Sequence, residues 1–379
     1  MSFSVLEIGD FRSVFLVAIV AWVVIETVCI VWGVFVPTEW SRLHRLFYYI
    51  YQPDDTLLYK ITPNLRDVKA EPPVAGMSAV YNTDELGFRN VDRDYAHTRI
   101  FFVGDSMVWG AWVRREDGIC GVVETELGEH VINLGVGSFE FDRYETMFRL
   151  FVAKYKPAVA ALGVFPNDLV PALPVKGEHP GAGEEYYRAC GWDIYQHFPT
   201  YKKTLTYYLL READRLFRGA TGVRDEYNLP VGDSRVASNG LTLFRYRGAD
   251  KNYLQDPAAM QHVHNKAADI IAMAAKNHVK LAVFLFPSKE STYEKEYRRL
   301  FPDSADYIVN EESGYKMLCE QFHTEGVVCI DLTEIFRQRG EKEPVYFSVD
   351  PHWNILGNRL AGTEVARVLR DLLLRRNDF

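Results

Sequence analysis

Arg99-Ile-Phe-Phe-Val-Gly-Asp-Ser-Met-Val-Trp-Gly110 joins a short β-branched and aromatic run to a segment of helical, amphipathic character. The join falls at Gly104-Asp105-Ser106, which puts Ser106 on the turn between the carboxyl end of a strand and the start of a helix. In an open α/β sheet, ligands bind beyond those strand ends. A helix N-terminus there offers unpaired N–H groups to a developing oxyanion. A serine attacks nothing without a base. The candidate base lies far along the chain, in Asp350-Pro351-His352-Trp353-Asn354, with Asn167-Asp168 between the two. Gly-Asp-Ser by itself is common in ordinary turns. The ordered set of three fragments carries the reading.

Working outward, bulky apolar runs bounded by polar, Gly or Pro residues recur at 100–103, 131–134, 158–164, 280–286 and 327–330. Helix-like stretches separate them, at 141–155, 258–277 and 314–324, and a last helix starts near Ile355. Strand–helix alternation implies right-handed parallel crossovers with helices on both faces of one sheet. The expected fold is α/β: a flavodoxin-like three-layer α/β/α sandwich with about five parallel strands. Residues 169–257 are too long for a plain loop in a compact domain. They contain Pro171, Pro174, Pro180, a Gly-rich patch and an aromatic helix-like stretch at 201–217, and read as an inserted cap or lid.

These blocks resemble the SGNH hydrolase family, the GDSL-type esterases and acyltransferases, from about Tyr81 to Arg370. The resemblance implies Ser106 as nucleophile, with His352 as base and Asp350 as the acid that orients it. It also implies an oxyanion hole built from the Ser106 N–H, an N–H at Gly137 or Ser138, and the Asn167 side-chain amide. Three departures stand out: Ser138 where the second block has glycine, Phe165 where the third block begins with glycine, and a two-residue Asp–His spacing where three is usual. Pro351 between the pair is compatible with the sharp turn this spacing needs. The Asp-x-His-Trp-Asn form, and the lead-in Asn82-Thr-Asp-Glu-Leu-Gly-Phe-Arg89, look like the branch associated with bacterial surface-polysaccharide modification. In that branch the segment following the fourth strand would bring Lys289 and Tyr293 to substrate. Trp109 and Trp112 could line an acyl or sugar pocket, with core packing the equal alternative. Asp105 and Asp168 read as structural.

The chain has 379 residues, 48% hydrophobic and 14% aromatic, which is ample for a sizeable core. A net charge of −8 argues against nucleic acid, whose phosphates need a basic face. Among five cysteines none is in Cys-x-x-Cys spacing, so no metal site is expected. Cys120, Cys190, Cys319 and Cys329 read as buried free thiols, with one or two disulfides as the alternative. His262 and His264, two apart on a helix, point to different faces and make no metal pair. The proposed chemistry needs no cofactor.

Residues 14–36 form an apolar run broken only by Glu26 and Thr27. At about 1.5 Å per residue the run is long enough to span a bilayer. It exceeds the roughly 7–15 residues of a signal-peptide core, and no small-residue cleavage site follows. Trp40, Phe47, Tyr48, Tyr49 and Tyr51 read as an interfacial aromatic belt. The expected division is a tail and transmembrane anchor at 1–37, a membrane-proximal lead-in at 38–98, and the SGNH-like domain at 99–379. Charge counting (Arg12 against Arg42 and Arg45) leans weakly to a cytoplasmic catalytic domain, while the resemblance points to the periplasmic side of a bacterial inner membrane. Glu26 at mid-span is costly unless paired or protonated, and reads as a contact to a multi-spanning membrane acyltransferase. The function expected is a membrane-anchored serine esterase or O-acyltransferase acting on acyl groups of a cell-surface glycan. The alternatives are a lipid-directed esterase or lysophospholipase, and a non-catalytic SGNH-fold subunit of a membrane assembly.

Overall fold

The computed structural model describes residues 8–32, 50–54, 56–70, 79–169, 206, 209, 234–245, 257–304 and 306–374. Chain contacts divide it into two units, one of residues 1–48 with 184–232, the other of 49–183 with 233–379.

The larger unit is built on a five-stranded parallel sheet. Its strands are β1 (Ile100–Gly104), β2 (Val131–Gly135), β3 (Val159–Val164), β4 (Lys280–Leu285) and β5 (Val328–Asp331). Their spatial order is β5-β4-β3-β1-β2, so the first strand lies inside the sheet, between the second and the third. Every residue of β1, β2 and β3 is buried. That is why these strands read in sequence as unbroken apolar runs rather than alternations: both sheet faces are covered. The helices Phe141–Met147, Pro257–Lys276 and Asp306–Thr324 pack together on one side, while Ile119–Leu127 and Ile355–Leu374 pack against each other on the other. Helix Asp306–Thr324 starts a full two turns before the sequence reading placed it, because its acidic opening turns are not apolar yet bury Tyr307, Ile308 and Glu311.

The described residues of the expected membrane-proximal lead-in fold onto this unit. Tyr51–Asp54 pairs antiparallel with Leu58–Ile61, and Val68–Ala70 with Ala79–Tyr81. Tyr51, expected in an interfacial belt, is thereby buried in the larger unit. A further hairpin, Ser234–Val236 with Thr242–Phe244, docks where the Thr242 N–H donates to the Ser348 carbonyl at 2.7 Å. The rest of the expected cap lies outside the described residues, apart from Thr206 and Leu209.

Cys319 and Cys329 form a disulfide between the helix Asp306–Thr324 and β5, so their reading as free thiols is corrected. The helix turns directly into the strand beside it, bringing the two Cα atoms to 5.3 Å. Cys120 is free and buried.

In the smaller unit, Ile8–Trp32 is helical. Val14 to Val17, Ile19, Val20 and Trp22 to Ile25 are exposed, while Glu26 is 7% exposed. The Glu26 carboxylate accepts hydrogen bonds from the backbone N–H of Thr206, at 2.8 Å, and from its hydroxyl. Trp22 Nε1 donates to that hydroxyl at 2.9 Å. Glu26 is therefore met by this chain's own residue. Among the described residues no helix is both long and apolar enough to cross a membrane.

Candidate active site

Strand order places the three site loops side by side. The turn after β1 carries Ser106, the turn after β2 carries Gly137 and Ser138, and the turn after β3 carries Asn167. All open at the carboxyl edge of the sheet, with the serine in the middle.

Ser106 begins a four-residue helix, Ser106–Trp109, capped by the buried Asp105 carboxylate, which accepts from the Met107 N–H at 2.9 Å. The helix lies directly on the end of β2: a Cβ added to Gly135 would come within 2.2 Å of the Trp109 backbone nitrogen. No other residue fits there, and the seat of the nucleophile is fixed by that contact.

His352 Nε2 lies 2.8 Å from Ser106 Oγ, and His352 Nδ1 lies 2.6 Å from Asp350 Oδ1. The same carboxylate oxygen accepts the His352 backbone N–H at 2.9 Å. This second bond explains how a two-residue spacing succeeds. The Asp350 side chain folds back over Pro351, and ring and backbone of His352 converge on one oxygen. Burial would lower the imidazole pKa, but the Asp350 charge and hydrogen bond outweigh it and hold His352 above the ordinary histidine range. Asp350 is held below the usual carboxylate range, its burial outweighed by the His352 charge and hydrogen bonds.

The Ser106 hydroxyl also lies 3.1 Å from Asp105 Oδ2, so two acceptors face a single proton. Burial raises the pKa of Asp105.

The loop bearing Asp350 and His352 is tied from below. Lys289 is fully buried, and its ammonium donates to the carbonyls of Phe347 at 2.8 Å, Ser348 at 2.9 Å and Asp350 at 3.3 Å. Burial pushes its pKa down to about 8. The Tyr293 hydroxyl accepts the Val345 N–H at 3.0 Å, and that ring is 7% exposed. Both residues were expected to touch substrate. The correction is that they face inward and brace the loop, since nothing outside can reach an ammonium enclosed by three carbonyls. Trp353 packs its ring against Phe286 and Phe336, and Asn354 Oδ1 accepts the Gly357 N–H at the start of the last helix.

Gly137 is buried and Ser138 is exposed with φ +60°. A Cβ on Gly137 would lie 2.6 Å from the Tyr51 hydroxyl oxygen and 3.7 Å from Ser106 Cβ, so a side chain there would displace the Tyr51 phenol, which borders the nucleophile. Tyr59 donates to the Gly137 carbonyl at 2.6 Å. Asn167 is exposed on a short 3-10 turn. Next to it, Asp168 is buried and accepts the Phe165 N–H at 2.6 Å and the Tyr144 hydroxyl at 2.7 Å, pinning the turn as expected. Trp109 is 5% exposed and stacks on Tyr81 with centroids 4.7 Å apart, so it is a core residue. Trp112 is half-buried against Val113 and Phe347.

Tyr51, Tyr59 and Tyr81 were missed as site residues. Their hairpins have no length or periodicity that separates them from loop, and only the nearness of Tyr81 to the Asn82–Arg89 segment hinted at a role. Among the described residues no cluster of His, Cys, Asp and Glu could hold a metal ion. His262 pairs with Asp142 at 2.8 Å and His264 with Gln321.

Residues 243–378 match the family model described as the SGNH hydrolase-like domain of the acetyltransferase AlgX. Over that stretch the chain is similar to SGNH hydrolase-like domains. The matched stretch contains Asp350, His352 and Lys289, while Ser106 and Asn167 precede it. Among solved structures, the acetyl xylan esterase AlAXEase is similar at 13% identity, covering 71% of this chain and 98% of that chain with a TM-score of 0.41. A lipolytic protein of the G-D-S-L family from Veillonella parvula DSM 2008 is similar at 11% identity, with 72% and 97% covered and a TM-score of 0.39. A GDSL-like lipase from Bacteroides thetaiotaomicron VPI-5482 is similar at 10% identity, with 74% and 91% covered and a TM-score of 0.38. No curated protein matches the sequence.

Proposed function

We propose that this chain is a membrane-anchored serine esterase or O-acyltransferase that moves acyl groups, acetyl in the first instance, on a cell-surface polysaccharide. The observation that carries the reading is the hydrogen-bonded series Asp350–His352–Ser106 at the carboxyl edge of the sheet. Ser106 Oγ attacks the acyl carbonyl carbon as its proton passes to His352 Nε2. The carbonyl oxygen becomes an oxyanion facing the N–H groups of Ser106 and Gly137 or Ser138 and the amide of Asn167. Each such donor is worth roughly 3–4 kcal/mol in the transition state. As the ester C–O bond breaks, the imidazolium returns the proton to the leaving alkoxide, giving an alcohol and acyl-Ser106. Water, or a sugar hydroxyl, then attacks the acyl-enzyme by the same steps in reverse. Asp350 stabilises the imidazolium and keeps Nδ1 as the protonated nitrogen.

The acetyl group is supported by the likeness to an acetyltransferase domain, and the glycan by the likeness of Asp350-Pro351-His352-Trp353-Asn354 to the polysaccharide-modifying branch. The extracytoplasmic side is supported by the Cys319–Cys329 disulfide, because such bonds persist in oxidising compartments. The anchor is supported by the apolar run 14–36 and by the exposure of its described apolar side chains. In the transfer case the acyl group comes from a multi-spanning membrane acyltransferase, which meets that exposed apolar flank rather than Glu26. The test is turnover of p-nitrophenyl acetate by the full chain and its Ser106→Ala variant, with mass spectrometry of the quenched enzyme. An acetyl adduct on Ser106, lost with the variant, is expected. Equal turnover by both proteins sinks the reading.

A further inference from the structure

Val136, Gly137, Ser138 and Phe139 form a turn just after β2, closed by the Phe139 N–H, which donates to the Val136 carbonyl at 3.2 Å. Of its two central residues only Ser138 has a left-handed φ, at +60°. That combination defines a type II turn, whose third position ordinarily takes glycine or asparagine. A type I turn closes with the same hydrogen bond and differs by rotation of its central peptide through roughly 180°, which returns the third residue to a negative φ. Serine favours the second form, because its Cβ makes the left-handed region costly. A contact from outside the turn must therefore hold the Gly137–Ser138 peptide in its less favoured orientation.

Tyr59 makes that contact. It lies on the strand Leu58–Ile61 opposite Pro53 and is 3% exposed. Its ring packs edge-on against Tyr51 and Phe139, with centroids 5.6 Å and 5.2 Å away, and its hydroxyl donates to the Gly137 carbonyl at 2.6 Å. A trans peptide projects its C=O and its N–H from opposite edges. The bond that fixes the Gly137 carbonyl thus also aims the Ser138 N–H, away from Tyr59. The same turn lies against the nucleophile, since a Cβ built on Gly137 would stand 3.7 Å from Ser106 Cβ. We propose that Tyr59 is a positioning residue of the oxyanion hole: it keeps this turn in its type II form, so that the Ser138 N–H faces the carbonyl oxygen of the substrate attacked by Ser106. Without the hydroxyl the central peptide rotates to the type I form and carries that N–H out of the site. The role rests on the esterase reading, because an oxyanion arises only if Ser106 attacks a carbonyl.

The test is steady-state turnover of p-nitrophenyl acetate by the full chain in detergent. Tyr59→Phe keeps the ring and its packing, and should lower kcat at least tenfold with KM within twofold. Adding Ser138→Gly to Tyr59→Phe should bring kcat back to within threefold of the native chain, because glycine takes the left-handed position unaided. A loss of hairpin packing could not be repaired in that way. Tyr95→Phe removes a different phenol hydroxyl, one bonded to Asp84 at 2.6 Å, and should leave kcat unchanged. Circular dichroism establishes that each variant is folded. Native kcat in Tyr59→Phe, no recovery in the double variant, or an equal loss in Tyr95→Phe overturns the role of Tyr59 while turnover still depends on Ser106. Turnover that survives Ser106→Ala is a separate result, which overturns the esterase reading and this role with it.

Discussion

At the scale of single residues, His352 decides the pH behaviour. It must be neutral to take the Ser106 proton, and its pKa lies above the ordinary histidine value because Asp350 favours the charged ring more than burial disfavours it. Activity is therefore lost as pH falls through that raised pKa and is complete above it. In Asp350→Asn the largest raising influence is gone, and desolvation is opposed only by the Asp105 charge. The acidic limb of kcat/KM should move to lower pH while the plateau drops steeply. A limb that stays in place would separate His352 from the pH dependence. Asn167 makes a second prediction: the residue is exposed, so Asn167→Ala should leave Tm within a degree or so yet lower kcat roughly 100-fold with little change in KM. Full activity in that variant removes it from the oxyanion hole. Lys289 acts through others. Replacing it with Met strands three carbonyls and should cost about 3 kcal/mol of stability. A positioning role also requires kcat to fall with KM held, and requires Lys289→Arg to restore less than half of it, because a guanidinium fork does not fit a site shaped for a compact ammonium.

At the scale of elements, the central strands were readable and the hairpins were not. Buried parallel strands have one sequence signature, an apolar run closed by turn residues, and β1 to β5 depart from the expected spans by a residue or so at either end. The catalytic pair was readable because Asp350 and His352 lie in one short motif, although the fold over Pro351 that joins them is a matter of side-chain geometry. Tyr51 and Lys289 were misread for a common reason. Type and position suggest an interface or a ligand, and only the packing of distant segments shows which way a side chain faces. The disulfide was unreadable likewise, since it depends on the helix and β5 meeting at a tight turn. It closes a loop of 10 residues, for which chain entropy gives about 2–3 kcal/mol. Cys319→Ser with Cys329→Ser should lose that much in urea unfolding, and a reductant should lower the midpoint of the native chain but not of the double variant. A reductant effect of equal size in both would mean that the bond contributes nothing.

At the scale of the whole molecule, the proposed anchoring turns on which side of a membrane the larger unit would occupy. The positive charges flanking residues 14–36 barely differ, so orientation has to be read from chemistry within the folded domain. A disulfide between Cys319 and Cys329 is that chemistry: outside the cytoplasm it forms and stays, whereas cytosolic reductants keep such thiols open. Two measurements on intact spheroplasts then test one proposal from independent directions. Added protease should digest the chain beyond Trp40 while leaving the N-terminal tail protected. A thiol-alkylating reagent applied after denaturation without reductant should label Cys120 but neither Cys319 nor Cys329. The two readouts are linked by location and by nothing else, since protease reports access and alkylation reports redox history. Protection from protease together with labelling of Cys319 and Cys329 would put the domain in the cytoplasm. A cell-surface polysaccharide would then be out of reach of Ser106, and the acyl acceptor would have to be sought among cytoplasmic esters.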